Sequence, residues 1–230
     1  MGCAYGFQYG HEESLIQDFE DSLNFSSILS KDFDIYFYKH CKNFKLTEKQ
    51  FVAVMEELNI DITESISRPS NNKLLFEKFI QDELYDKRAM ASLGIMLGKG
   101  SLEEKVKILF LNYDIEISDS LDPKEIKVMI TDILEIALVH IPKTAKTCIN
   151  NINESKSLKK YCFKLNKYKA ELAEYYKKLL IKDYNVEIKV DDFVAMFENE
   201  NIRALLYPSR LRAMAFAIGG RKKVQIEVRD

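Results

Sequence analysis

The chain has 230 residues, enough for one large domain or two small lobes, and 47 % of them are hydrophobic, which supplies a core. Its 34 basic and 36 acidic residues nearly cancel to a net charge of −2, so there is no general attraction for nucleic acid, and no run approaches the roughly 20 apolar residues of a membrane span. Cys3, Cys41, Cys148 and Cys162 stand far apart without a CxxC pair, which argues against a disulfide framework or a thiolate zinc site and fits the reducing cytosol.

Met1-Gly2-Cys3 opens the chain. Gly2 is a candidate for myristoylation and Cys3 for palmitoylation, since stable anchoring takes two chains. Position 6 is Gly rather than the usual Ser or Thr, and the other reading is an N-terminal extension without order. A basic start and a long apolar run are both missing, so no signal peptide is expected. His11, His40 and His140 have no helix-spaced partner and read as structural or exposed.

Apolar residues then recur at helical spacing almost throughout. Residues 1–29 read as an extension with a helix near 12–29. Phe51, Val54, Met55 and Leu58 form a stripe preceded by Thr47-Glu-Lys-Gln50, a capping box. Leu93, Met96 and Leu97 form the next. Ser101-Leu-Glu-Glu104 starts the helix that carries Val106, Leu109, Phe110 and Tyr113. Asp122-Pro-Lys-Glu125 starts another, with a capping Asp, Pro at the first helical position and Glu three residues after the cap. Ile126, Met129, Ile130 and Ile133 follow it. A basic segment comes next, with Lys156, Lys159, Lys160, Lys164, Lys167 and Lys169 interleaved with Tyr161, Phe163 and Tyr168. It reads as a solvated helix face, or as a surface for an acidic partner or lipid. Leu172, Tyr175, Tyr176, Leu179 and Leu180 precede Phe193, Met196 and Phe197, and a last helix is expected near 201–217.

A signature repeats within this pattern. It reads Leu46-Thr-Glu-Lys-Gln-Phe51, Leu121-Asp-Pro-Lys-Glu-Ile126 and Ile188-Lys-Val-Asp-Asp-Phe193, each after a helical segment. That is the second half of an EF-hand: an apolar residue at loop position 8, and an acidic place at position 12 before another apolar residue. A fainter copy puts Leu84 at position 8 and Arg88 at position 12. The loops would begin at Lys39, Glu77, Asp114 and Ile181.

Calcium takes six to eight oxygens, and an EF-hand supplies them from loop positions 1, 3, 5, 7, 9 and 12. The third loop offers Asp114, Glu116, Ser118, Ser120, Asp122 and Glu125 at those places, with Ser120 acting through its carbonyl and Asp122 through water. Leu121 would make the strand contact to a paired loop. Position 6, where the chain turns with positive φ, is Asp119 instead of Gly, at a cost of about 1 kcal/mol. The bland reading is an acidic surface loop. The other loops look inactive, with Lys39 and Gln50 at the ends of the first and Arg88 closing the second. The fourth keeps Asp183, Asn185 and Asp192 but starts with Ile181.

Leu93-Gly-Ile-Met-Leu97, Gly100-Ser-Leu-Glu-Glu-Lys105, Phe110 through Glu125, and Glu198-Asn-Glu-Asn-Ile-Arg203 resemble the neuronal calcium sensor, calcineurin B and calaxin superfamily. The resemblance covers roughly 30–140 and 168–212, and Gly100–Lys105 is especially similar to calaxin, a ciliary calcium sensor associated with outer-arm dynein. It implies an all-α fold of four EF-hand units, mostly degenerate, in two paired lobes with short loop-to-loop β contacts. The N-terminal pair would span 30–100. The C-terminal pair would span 101–200 with a long insertion at 141–170, and a helix and tail would fill 201–230. It further implies a non-enzymatic, cytoplasmic calcium sensor or adaptor, with one ion and an apolar groove for a helical partner. A ciliary or membrane-associated place is also implied. The alternative is a constitutive structural subunit of a larger assembly, such as a ciliary complex, that needs no calcium. A phosphatase regulatory subunit is a third possibility. No GxSxG, Walker, kinase or HExxH motif accompanies these features.

Overall fold

The computed structural model describes residues 10–41, 44–63, 69–181 and 186–227, with side chains described through residue 219. The fold is all-α, as expected, with a few two- and three-residue strands. The helices are α1 (His11–Ser22), α2 (Ser30–His40), α3 (Glu48–Glu57), α4 (Asn71–Phe76), α5 (Lys87–Leu97) and α6 (Leu102–Tyr113) in the first half. The second half holds α7 (Pro123–Glu135), α8 (Ile141–Cys148), α9 (Ile152–Leu180), α10 (Val190–Met196), α11 (Glu200–Arg203) and α12 (Pro208–Glu227). The strands are β1 (Lys45–Leu46), β2 (Ile80–Gln81), β3 (Leu84–Asp86), β4 (Ser120–Leu121) and β5 (Ile188–Lys189).

Local chemistry starts the helices where the sequence indicates. Thr47 Oγ1 accepts from Gln50 N–H and Gln50 Oε1 accepts from Thr47 N–H, closing the capping box of α3. Ser101 caps α6, and Asp122 with Glu125 closes a second box on α7 behind Pro123. Such caps satisfy backbone N–H groups that a helix leaves unpaired.

Tertiary packing joins these pieces into one core. Phe51 stacks on Tyr85 with centroids 4.0 Å apart, and Phe110 meets Phe193 edge-on at 5.5 Å. The buried side chains, from Ile16 on α1 to Ala215 on α12, form a single continuous cluster. Gly94 marks the closest approach of α5 to α2: a Cβ there would stand 2.3 Å from the Phe33 ring.

Helix α7 runs through a π-helical turn, Ile136–His140, directly into α8. Pro142 has no N–H to give the preceding turn, and a widened turn is a common accommodation. The stretch 141–170 comprises α8 and the first part of α9, a single 29-residue helix. The C-terminal helix runs longer than the expected 201–217 and is preceded by the short α11.

The loop-to-loop contacts appear in two places. Leu121 sits opposite Ile188 in the β4–β5 pair, the register anticipated from the repeated signature. In the first half Leu46 sits opposite Tyr85, one residue later than the Leu84 expected from the sequence. β2 folds back on β3 through Asp82 and Glu83, both at positive φ (52° and 65°), a two-residue hairpin that sets Ile80 opposite Tyr85 and Gln81 opposite Leu84.

Candidate metal centre

Helices α6 and α7 flank the loop 114–122, and the β4–β5 pair holds its far side against the segment that follows α9. Asp114, the last-turn cap of α6, is buried. Its Oδ1 accepts from Ser118 N–H at 2.9 Å and its Oδ2 from Asp119 N–H at 2.9 Å, so one carboxylate folds the loop around itself. Asp119 takes φ 56°, the left-handed turn expected of position 6. Ile117 also sits at positive φ (53°), an unfavourable place for a β-branched residue.

Several of the anticipated oxygens meet here. Ser118 Oγ lies 3.3 Å from Asp114 Oδ1 and 3.0 Å from the Ser120 carbonyl oxygen, bringing loop positions 1, 5 and 7 together. Glu125 turns back toward them: Oε1 accepts from Ile115 N–H at 3.4 Å and Oε2 from Asp122 N–H at 2.8 Å. Desolvation, then the nearby charges of Asp122 and Asp114, push the Glu125 carboxyl above its ordinary pKa against the backbone bonds that lower it. Asp122 Oδ1 is engaged in capping α7, at 2.7 Å from both Lys124 N–H and Glu125 N–H. Glu116 is exposed.

The donor set fits a hard divalent cation in kind, being all oxygen with acidic ends. Its arrangement is looser than a finished ion cage: among the described residues, no three His, Cys, Asp or Glu side chains stand close enough to hold a metal together. One further acid joins from outside the loop. Ser120 Oγ donates to Glu187 Oε2 at 2.5 Å across the β4–β5 pair. Glu187 precedes Ile188 in the fourth repeat, at a place expected to contribute only a backbone carbonyl, and its proximity depends on the pairing of two loops far apart in sequence.

The first two loops are closed by protein contacts. In the first, Gln50 Nε2 donates to the His40 carbonyl at 2.8 Å, tying the loop ends with a neutral amide, while Lys39 pairs with Glu57. In the second, the tight hairpin leaves seven residues between Phe79 and Lys87, and the later register puts Ala89 rather than Arg88 four places after the cross-strand residue. Of the fourth loop, Asp183 and Asn185 lie outside the described residues, as do Gly2 and Cys3. Ile181 is buried and Asp192 lies in the first turn of α10.

Beside the third loop is an apolar cavity of about 570 Å³, walled by Ile126, Leu180, Val186, Ile188 and Met196 among others. Ile126 directly follows Glu125, and Ile188 is the cross-strand partner of Leu121. A relay of hydrogen bonds anchors the helix that enters the loop. Asn112 Nδ2 donates to Ser92 Oγ at 3.1 Å, Ser92 and Tyr113 hydroxyls lie 3.0 Å apart, and Tyr113 donates to Asp132 at 3.0 Å. Burial pushes the Asp132 carboxyl up to about 6.

Comparison with protein-family profiles, with curated proteins and with solved structures finds no match. Among the described residues, no helix is long and apolar enough to cross a membrane.

Proposed function

We propose that this chain is an EF-hand binding protein that takes up one calcium ion between Asp114 and Glu125 and uses the adjoining apolar cavity to hold a helix of a partner protein. The observation that carries the reading is the meeting of Asp114 Oδ1, Ser118 Oγ and the Ser120 carbonyl inside a helix-flanked loop whose Leu121 is paired with Ile188. A bound ion would supply the positive charge that Asp114, Asp122 and Glu125 lack. Glu125 and Ile126 are consecutive on α7, so a change in the carboxylate's partners bears directly on a wall of the cavity. Such coupling between a loop and an apolar groove is how sensor EF-hands operate.

The constitutive alternative, a structural subunit that needs no ion, has its own support. Gln50 ties the ends of the first loop with a neutral amide, Asp86 in the second pairs with Lys45, and Asp114 is already satisfied by backbone N–H groups. A ciliary or other cytoplasmic assembly is the setting we favour for either reading.

Calorimetric titration with calcium separates the two. At 100 times the Kd, a ligand confined to the folded state stabilises it by roughly 2.7 kcal/mol. The wild type should therefore melt several degrees higher in excess calcium, and Glu125→Gln should lose most of that gain. A wild-type melting curve indifferent to calcium would sink the sensor reading and leave the structural subunit.

A further inference from the structure

Helix α9 buries one face and leaves another strongly basic. Leu158, Cys162, Leu165, Leu172 and Tyr176 are buried. On the opposite side Lys156, Lys159, Lys160, Phe163, Lys164 and Lys167 fall at helical spacing, all exposed, with Phe163 72 % accessible in their midst. They line a groove of about 690 Å³ together with Tyr168. No acidic residue occurs from Ser155 to Ala170. Lys169, the neighbouring lysine, is neutralised by Glu135, and Lys164 feels Glu12. Lys156, Lys159, Lys160 and Lys167 take no ion pair with a described residue.

We infer that this face of α9 docks on an anionic lipid surface, with the lysine ammonium groups on the headgroups and Phe163 inserted between them. Three observations select that occupant. The stripe concentrates five positive charges on a protein whose net charge is −2, so its partner must be anionic. All five are Lys and none is Arg. Lysine is a flexible point charge without the planar fork that reads one carboxylate or phosphate, and it is depleted in specific protein interfaces. A diffuse field of headgroups suits it. The exposed phenylalanine needs an apolar destination next to those charges, which the headgroup–acyl boundary supplies, and long lysine stems let the ammonium groups reach outward while Phe163 goes in. The proposal is independent of the ion in the third loop, so either can fail alone.

The full chain, without acylation, is sedimented with phosphatidylcholine vesicles and with vesicles of phosphatidylcholine and phosphatidylserine at roughly 2:1. Binding is expected to the mixed vesicles only, and to fall as salt shortens the screening length from about 10 Å. Each lysine near such a surface is worth about fivefold in partition, so the triple Gln variant of Lys159, Lys160 and Lys167 should lose about a hundredfold. Phe163→Ser should lose several-fold on mixed vesicles with its salt dependence retained. Because all four side chains are exposed, circular dichroism and melting should match the wild type. Equal binding to both vesicle types, binding to neither, or a triple variant that binds like the wild type would overturn the proposal. So would tighter binding to polyglutamate or to a single-stranded RNA at the same salt, which would reassign the face to an acidic protein or to nucleic acid.

Discussion

Asp132 shows how one side chain ties loop, core and pH together. It accepts from the Tyr113 hydroxyl at the exit of α6, and burial is the largest of the influences that raise its pKa from 3.8 to about 6. A carboxyl that holds its proton more tightly when folded favours the native state below the unfolded value, and that contribution is lost as pH rises through about 6. Asp132→Asn keeps an acceptor for Tyr113 and removes the titration. Urea unfolding should therefore find the variant more stable than wild type at pH 8, by roughly 1–3 kcal/mol, with the difference shrinking toward pH 4. A wild type equally stable relative to the variant at both pH values would contradict this assignment. Neither the burial nor the partnership could be read from Thr131-Asp-Ile133 in the sequence, where Asp132 looks like any polar residue of an amphipathic helix. The oxygens of the third loop are different. Their spacing from Asp114 to Glu125 is legible because it is local sequence, and Asp119 takes the left-handed φ expected at its place. Glu187 was not legible, because only the pairing of two loops brings it to Ser120.

At the scale of elements, close helix approach depends on what a residue lacks. Gly94 lets α5 lie against α2, and the missing Cβ is filled by the Phe33 ring. Gly94→Ala would ordinarily favour a helix, but here the added methyl would stand 2.3 Å from ring carbons. Overpacking of this kind costs about 1–3 kcal/mol, so the variant should unfold at lower denaturant than the wild type. A variant of equal or greater stability would mean that Phe33 moves aside without cost. The sequence placed Gly94 inside a helical stripe and gave no hint of this contact. The second loop carries the same lesson for strands. Its repeated signature predicts a strand contact at Leu84, yet Leu46 pairs with Tyr85, while the Asp82-Glu83 turn gives Leu84 to Gln81 on the other strand, a hairpin register set by turn geometry.

For the whole molecule, α1 and α12 are joined by a buried charge cluster. Arg212 is fully buried, with Nη2 at 2.6 Å from Glu13 Oε1 and Nη1 at 2.8 Å from Glu20 Oε1. Desolvation pushes the Glu20 carboxyl up against the opposing pull of Arg212. Tyr161 on α9 also donates to Glu13, so three distant helices share one polar knot. Replacing Arg212 by Met would strand the Glu13 carboxylate in the core, at a cost of about 3–5 kcal/mol. Joint replacement of Arg212, Glu13 and Glu20 by apolar residues should recover much of that loss. Equilibrium unfolding of the two variants measures the difference, and equal destabilisation in both would mean that packing rather than stranded charge sets the cost.

By itself the sequence determined the helical class, the caps at Thr47, Ser101 and Asp122, the oxygen pattern of the third loop and the basic face of α9. These follow from interactions among residues a few positions apart, which composition and periodicity expose directly. Only the tertiary structure decided that Glu13 and Arg212, 199 positions apart, share a buried salt bridge. It also set Tyr85 against Leu46, brought Glu187 to Ser120, and merged the stretch after 141 into one core with the rest. Those outcomes turn on which distant surfaces exclude water together, and that choice is made by the packed chain as a whole rather than by any segment of it.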